Sequence, residues 1–373
     1  MKSWAIPLAS LLFAIPGHAA KLVTVVHLDH ILAHDAGHAD DKIATELSSL
    51  RLRERAGTLR LVHWQAESPG RKTRAQLLRL ADESAFLDLP AADILPATPP
   101  TMAAQHDILV RTIHYVRKTV PTLPDFLATR ITTHFEDGPA TNQGDHDLAP
   151  DRLALMSTGT LPDSQQTEPL HPMATSRIGV AYRNGQEVED SRKAVRQQMS
   201  VNGLTTSGEF GPILSVVLGD AIRSNIVWGY WEQGSSGPVA ILRYHVPQEK
   251  SHYAVVFPVG GKMAEEDPAY HGEIAVDPAT GTIGRITAIA DVAPPNQAIE
   301  AAITVEYGPV SIGNKTPICP LKGVALSRMP ILRLWDPGVT PSAPIYQTHL
   351  NDVAFSDYHL FHADVKVVPA TDP

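Results

Sequence analysis

The chain has 373 residues, 43% of them apolar, with 31 Lys and Arg against 40 Asp and Glu, for a formal charge of −9. That size and apolar content suffice for two domains, while the acidic balance argues against nucleic acid and against anionic membrane surfaces, which both select basic patches. One cysteine excludes an intramolecular disulfide, and aromatics at 6% do not suit a carbohydrate binder built on Trp platforms.

Lys2 is followed by an apolar run from Trp4 to Ile15 and then by Pro16-Gly17-His18-Ala19-Ala20. A positive start, a short apolar stretch and a small-residue exit read as a secretory signal over 1–19, cleaved near Ala19. The run is too short for a spanning helix, which needs about 20 apolar residues, so the mature chain is expected to lack a transmembrane segment. The expected location is periplasmic or extracellular.

Residues 20–122 read as a small all-α domain. Val25, Leu28, Leu32 and Ala36 share a helical face that Gly37 ends. Asp40 and Asp41 open a second helix carrying Ile43, Leu47 and Leu50. A third runs from Thr58 through Trp64, and a fourth carries Leu77, Leu78, Ala81 and Phe86. Thr101 caps a fifth, whose buried side holds Ile108, Leu109, Thr112, Ile113, Tyr115 and Val116. The basic runs Arg51–Arg55 and Arg71–Arg74 are short and flanked by acids, as solvated helix faces are.

After Pro121 and Pro124 the period becomes two, and residues 123–373 read as a second, β domain. Phe126 to Phe135 form its first strand, and the Gly-, Pro- and Asp-rich stretch 136–175 reads as a polar loop. Strands then follow one another from Ser176, with Asn184-Gly185 as a hairpin turn and Asp277 to Gly281 as another. One helix, Ser207 to Leu218, interrupts the strands. Further strands are expected at 225–231, 239–245, 253–259, 273–276, 283–289, 303–307, 323–328, 351–356 and 362–368. The fold expected is α+β: a helical domain, then a strongly curved antiparallel sheet, an open half-barrel, with one covering helix.

The order Tyr182-Arg-Asn-Gly185, Ser207-Gly-Glu-Phe-Gly211, Tyr270 to Gly281 and Val305 to Gly313 resembles a group of uncharacterised exported proteins of the acidobacterial kind. Over about residues 125–370 it is also similar to the lipoprotein-carrier superfamily of LolA/LolB-like and MucB/RseB-like domains. That resemblance implies a bent, incomplete barrel covered by helices, an apolar cavity, and binding of acyl chains or envelope components without catalysis. The helical block 21–120 has no counterpart in a carrier domain.

For chemistry, the chain offers little local pattern. His27, His30 and His34 fall on one side of the first helix, with His38 beyond. They could take Zn²⁺ or Cu²⁺, but no carboxylate or thiolate accompanies them, and a solvated polar face accounts for the spacing better. His106, His114, His134, His146, His245, His252, His271, His359 and His362 are dispersed; HExxH, GxSxG and phosphate-cradling loops are absent from the sequence. Cys319 reads as a buried apolar residue. The dense apolar strands make Trp228, Trp231, Leu242 and Phe257 the candidate lining of a ligand cavity, with ordinary core packing as the competing assignment. The function expected is non-catalytic binding of a lipid, an acyl chain or another apolar envelope ligand, with no metal or other cofactor. The alternative is an interaction or structural module with an envelope protein as partner and no cavity, and a metal-assisted hydrolase stands last. Three His, Asp or Glu groups within ligand distance would favour that last class.

Overall fold

The computed structural model describes residues 20–68, 70–137, 169–184, 186–189, 212–259, 262–292, 300–330 and 346–361. The expected signal at 1–19, the strand at 362–368 and most of the loop at 136–175 lie outside them.

The helical block begins with a three-residue strand β1 (Lys21–Val23), α1 (Val25–His34) and α2 (Asp40–Ser48). Strand β2 (Leu50–Leu52), α3 (Thr58–Glu67) and α4 (Arg71–Glu83) follow. β1 and β2 pair in parallel, a contact too short to leave a periodic signal. Thr24 caps α1 through the His27 amide at 3.1 Å. α4 has no cap of its own; Asp40 of α2 accepts from the amides of Lys72 and Thr73, at 3.0 and 2.9 Å. Gly70 permits this, because a Cβ there would fall 2.3 Å from the Asp40 carboxylate. Leu28, Leu47, Leu50, Trp64, Leu77 and Leu80 form the block's own core. Buried Arg79 donates to the carbonyls of Leu47 and Leu50 at 2.9 and 3.1 Å, closing the end of α2.

α5 (Met102–Thr119) starts where expected, with Thr101 capping the Ala104 amide at 3.3 Å. It packs elsewhere, however: Ile108 and Val116 join the core of the sheet. α6 (Pro212–Arg223) covers the same face with Leu214, Val217, Leu218 and Ala221, and ends five residues beyond the expected helix.

The remaining strands are β3 (Phe126–Glu136), β4 (His171–Arg183), β5 (Gln186–Glu189), β6 (Asn225–Gly234) and β7 (Gly237–Val246). Then come β8 (Val255–Val259), β9 (Lys262–Glu266), β10 (Tyr270–Val276), β11 (Ile283–Ala290), β12 (Glu300–Pro309), β13 (Ile318–Pro330) and β14 (Tyr346–Leu360). Ten form one antiparallel sheet in the order β5-β4-β3-β14-β13-β12-β11-β10-β7-β6, and β8 with β9 makes a separate hairpin. The large sheet is open, with β5 and β6 at its edges. The architecture is thus α+β, a large antiparallel sheet with helices on it. One expectation is corrected: the stretch 171–175 belongs to β4, and Glu136 to β3, rather than to the polar loop.

Strand register sorts the side chains by face. Tyr244, Ile274, Ile286, Ile303 and Ala325 point to α5 and α6 and form the main core. Tyr230, Ile241 and Ala275 point the other way, onto Leu89 of the helical block. That second interface is charged. Arg285, Glu306 and Lys322 are consecutive partners across β11, β12 and β13. Glu232 receives Arg285 at 2.7 Å and Arg55 at 3.0 Å, and Arg55 also donates to the Tyr230 hydroxyl at 2.8 Å. Lys322 pairs with Asp82 of α4 and lies 3.6 Å from Asp352. The solvated helix face expected at Arg51–Arg55 is therefore a misreading: Arg51 sits in β2 against Glu83, and Arg55 is buried in this seam. Long-range partners cancel its charge, which a local count of acids and bases cannot reveal.

Among the described residues no helix is long and apolar enough to cross a membrane.

Candidate metal centre

The four side chains expected to line a cavity meet different fates. Leu242 is buried in the main core, between sheet and α6. Trp228 and Trp231, on edge strand β6, pack against that core while partly exposed, ring edge to ring face at 4.8 Å. Trp231 also donates to the Thr98 carbonyl at 3.2 Å. Phe257 lies in β8, and its side chain is outside the described ones. Beneath α5 and α6 there is a void of about 10 Å³, bounded by Tyr115, Leu214, Ile283 and Tyr307. That holds roughly one water. An open cleft of about 400 Å³ lies elsewhere, between α3, residues 89–96 and the β6 residues Glu232 and Gln233.

Polar chemistry gathers where β3 meets β14. His134 and Glu136 alternate on β3, so they share one face. Their partners across the strand pair are Asn351 and His349. Those in turn face Ala325 and Ser327 on β13, and then Ile303 and Ala301 on β12. The polar group thus continues the row of core residues that α5 and α6 cover. His134, Glu136, His349 and Asn351 are 3%, 8%, 6% and 1% exposed.

Within this group Glu136 is the focus. Its Oε1 is 2.9 Å from His134 Nε2 and 3.3 Å from His349 Nδ1. The two imidazoles stack, with centroids 5.6 Å apart and planes 17° from parallel. One potential ligand atom from each of His134, Glu136 and His349 lies within 4.8 Å of the others. A second layer holds them in place. Gln347 Nε2 donates to Glu136 Oε2 at 3.1 Å and to the Asp137 carbonyl at 3.1 Å. His134 Nδ1 lies 2.8 Å from Asn351 Oδ1, within hydrogen-bond distance. The Thr348 amide donates to Asp137 Oδ1 at 2.5 Å, fixing the start of β14.

When the Nδ1 proton faces Asn351 Oδ1, His134 turns its Nε2 lone pair toward the carboxylate oxygen; in the other tautomer Nε2–H donates to that oxygen. His349 Nδ1 faces the same oxygen and makes no hydrogen bond. A buried polar atom left so costs about 1–3 kcal/mol. A proton on an imidazole nitrogen, or a cation among the three atoms, relieves the repulsion that bare lone pairs would meet at such separations. For metal–ligand bonds of about 2.0–2.1 Å, neighbouring ligand atoms stand about 2.9 Å apart at a right angle and about 3.3 Å apart at the tetrahedral angle. Both separations to Glu136 Oε1 fall on these values. Two imidazoles and one carboxylate form a donor set used by Zn²⁺ and by non-haem Fe²⁺. A side-chain carbonyl bonded to the far nitrogen of a ligating histidine is the outer support such sites carry.

Sequence reasoning placed no metal here. His134 stood only among dispersed histidines, and Glu136, His171 and His349 were not singled out. The available signal was His134-Phe-Glu136 near the end of an alternating strand, which puts both ligands on one face. The third ligand, His349, could not be read locally, because it lies on β14, which pairs with β3 only through the fold. The stripe of His27, His30 and His34 on α1 comes together with no acidic partner: of the histidines there, only His38 bonds a carboxylate, Asp35 at 3.1 Å.

Against known proteins, the chain matches no family model, no curated protein and no solved structure.

Proposed function

We propose that this protein binds one divalent transition-metal ion, with Zn²⁺ as the first probe, through His134 Nε2, Glu136 Oε1 and His349 Nδ1. The observation that carries the reading is the convergence of two imidazole nitrogens on one buried carboxylate oxygen, at 2.9 and 3.3 Å. Metal binding would tie β3 to β14 and add its binding energy to that of the fold. The test is equilibrium dialysis of the purified chain against Zn²⁺, with circular dichroism to establish that each variant is folded. One ion per chain, lost in Glu136→Gln and in His349→Ala, supports the reading. A folded wild-type chain that retains no Zn²⁺ overturns it.

A second reading rests on a different observation, the partly exposed indoles of Trp228 and Trp231 at the rim of the core under α6. In it, the protein is exported after removal of residues 1–19, and its sheet curls into the half-barrel of the lipoprotein-carrier type. An acyl chain or other apolar envelope ligand enters beside Trp228, Trp231, Leu242 and Phe257. With a void of only about 10 Å³ beneath the helices, α6 must lift to admit it. Native mass spectrometry after incubation with phospholipid tests this. A bound lipid that Trp228→Asp abolishes supports it, and an unchanged apo mass rejects it.

A further inference from the structure

Glu136 has a histidine on each side. His349 of β14 is its partner across one strand pair, and His171 of β4 is its partner across the other. Directly paired residues share a face, and their Cβ atoms stand about 4.5–5.5 Å apart. His171 therefore belongs to the same row as Glu136 and His349. Its Nε2 is shut off from solvent and makes no hydrogen bond. With His349 Nδ1, it is a second buried imidazole nitrogen of this row that makes no hydrogen bond among the described residues. The His171 ring is outside the closest cluster of ligand atoms.

We infer that His171 supplies the fourth protein ligand, so that the ion is closed off by His134, Glu136, His171 and His349. The inference rests on the metal-binding reading above and deepens it. Three protein ligands with a free fourth position are the arrangement of a catalytic zinc, which activates water there. Four protein ligands leave no such position, and the ion then cross-links β4, β3 and β14 as a structural centre. A bulge between His134 and Phe135 in the β3–β4 ladder brings Glu136, and not Asp137, opposite His171. An irregularity that re-aims side chains is a common use of a bulge.

The experiment uses the full chain. Zn²⁺ affinity is measured by competition with a chromophoric chelator for wild type, His171→Ala, His171→Gln and the control Ser311→Ala. Co²⁺-loaded samples of each are read by visible absorption. The expected result is a four-coordinate Co²⁺ band in wild type whose position and intensity change in both His171 variants, where water takes the place of the imidazole. Zn²⁺ affinity should fall by about tenfold or more in both. His171→Gln keeps the bulk of the side chain, so a loss shared by the two variants does not come from a cavity. Wild type that binds Zn²⁺ while both variants bind it equally, with an unchanged Co²⁺ spectrum, overturns the inference and leaves the three-ligand reading standing. Wild type that binds neither ion overturns both.

Discussion

Asp82 offers the sharpest test of how the helical block is held on the sheet. Its carboxyl is buried at the α4–sheet seam against Lys322, with Asp352 nearby. Burial pushes it up to about 8, a rise that Asp352 reinforces and Lys322 opposes. In the unfolded chain the same group titrates near 3.8. A folded value above the unfolded one means that the folded state binds the proton more tightly. The stabilisation is then complete below about pH 4 and is lost as pH rises toward 8. A gap of about 4 units at 1.36 kcal/mol each gives on the order of 6 kcal/mol for the full amplitude. Relaxation and water entry around a buried charge reduce such amplitudes, and about 3 kcal/mol is the expected change. Asp82→Asn keeps the shape and an acceptor for Lys322 but cannot ionise. Urea denaturation of both proteins at pH 5 and pH 8.5 isolates the term. The variant should gain about 3 kcal/mol relative to wild type between the two pH values. A stability difference that is the same at both, within about 0.5 kcal/mol, would refute the reasoning and leave Asp82 ionised throughout.

Two further predictions concern the packed sheet. A Cβ at Gly272 would fall 1.9 Å from the Thr287 carbonyl and 2.9 Å from the Tyr244 hydroxyl. Gly272→Ala should therefore cost about 3 kcal/mol or more in a denaturant titration, and a loss under about 1 kcal/mol would show that the strands can separate there. Cys319 is fully buried, and burial pushes its thiol up to about 12. Alkylation by iodoacetamide at pH 8 should be negligible in the native protein and fast in urea; equal rates would place the thiol at the surface.

The readable parts of the fold were those written in adjacent residues. Thr101 announced α5, Asn184 the β4–β5 turn, where its φ is 51°, and Gly281 the exit of the β10–β11 turn, where φ is 77°. β14 was harder to read. It runs from Tyr346 to Leu360, yet only 351–356 was expected as a strand there, because Thr348 and His349 look like loop residues. They are buried as polar groups, and their partners lie on β3 or just after it. The side of the sheet that α5 would cover was likewise illegible, since its apolar stripe fits either core. The candidate metal site failed to show for the same reason as β14. β3 and β14 are neighbours only because the chain returns after β13, and no local spacing encodes that return. The charged seam between Arg55, Glu232, Arg285 and Lys322 belongs to the same class of contact.

The most direct test of the metal reading is a crystal of the Zn²⁺-soaked protein, with an anomalous difference map at the zinc edge. A single strong peak about 2.0–2.2 Å from His134 Nε2, Glu136 Oε1 and His349 Nδ1 is the predicted result. A map without a peak there, with Asn351 turned over and His134 Nε2 donating its proton to Glu136, would contradict it and make the cluster a hydrogen-bonded element of the core.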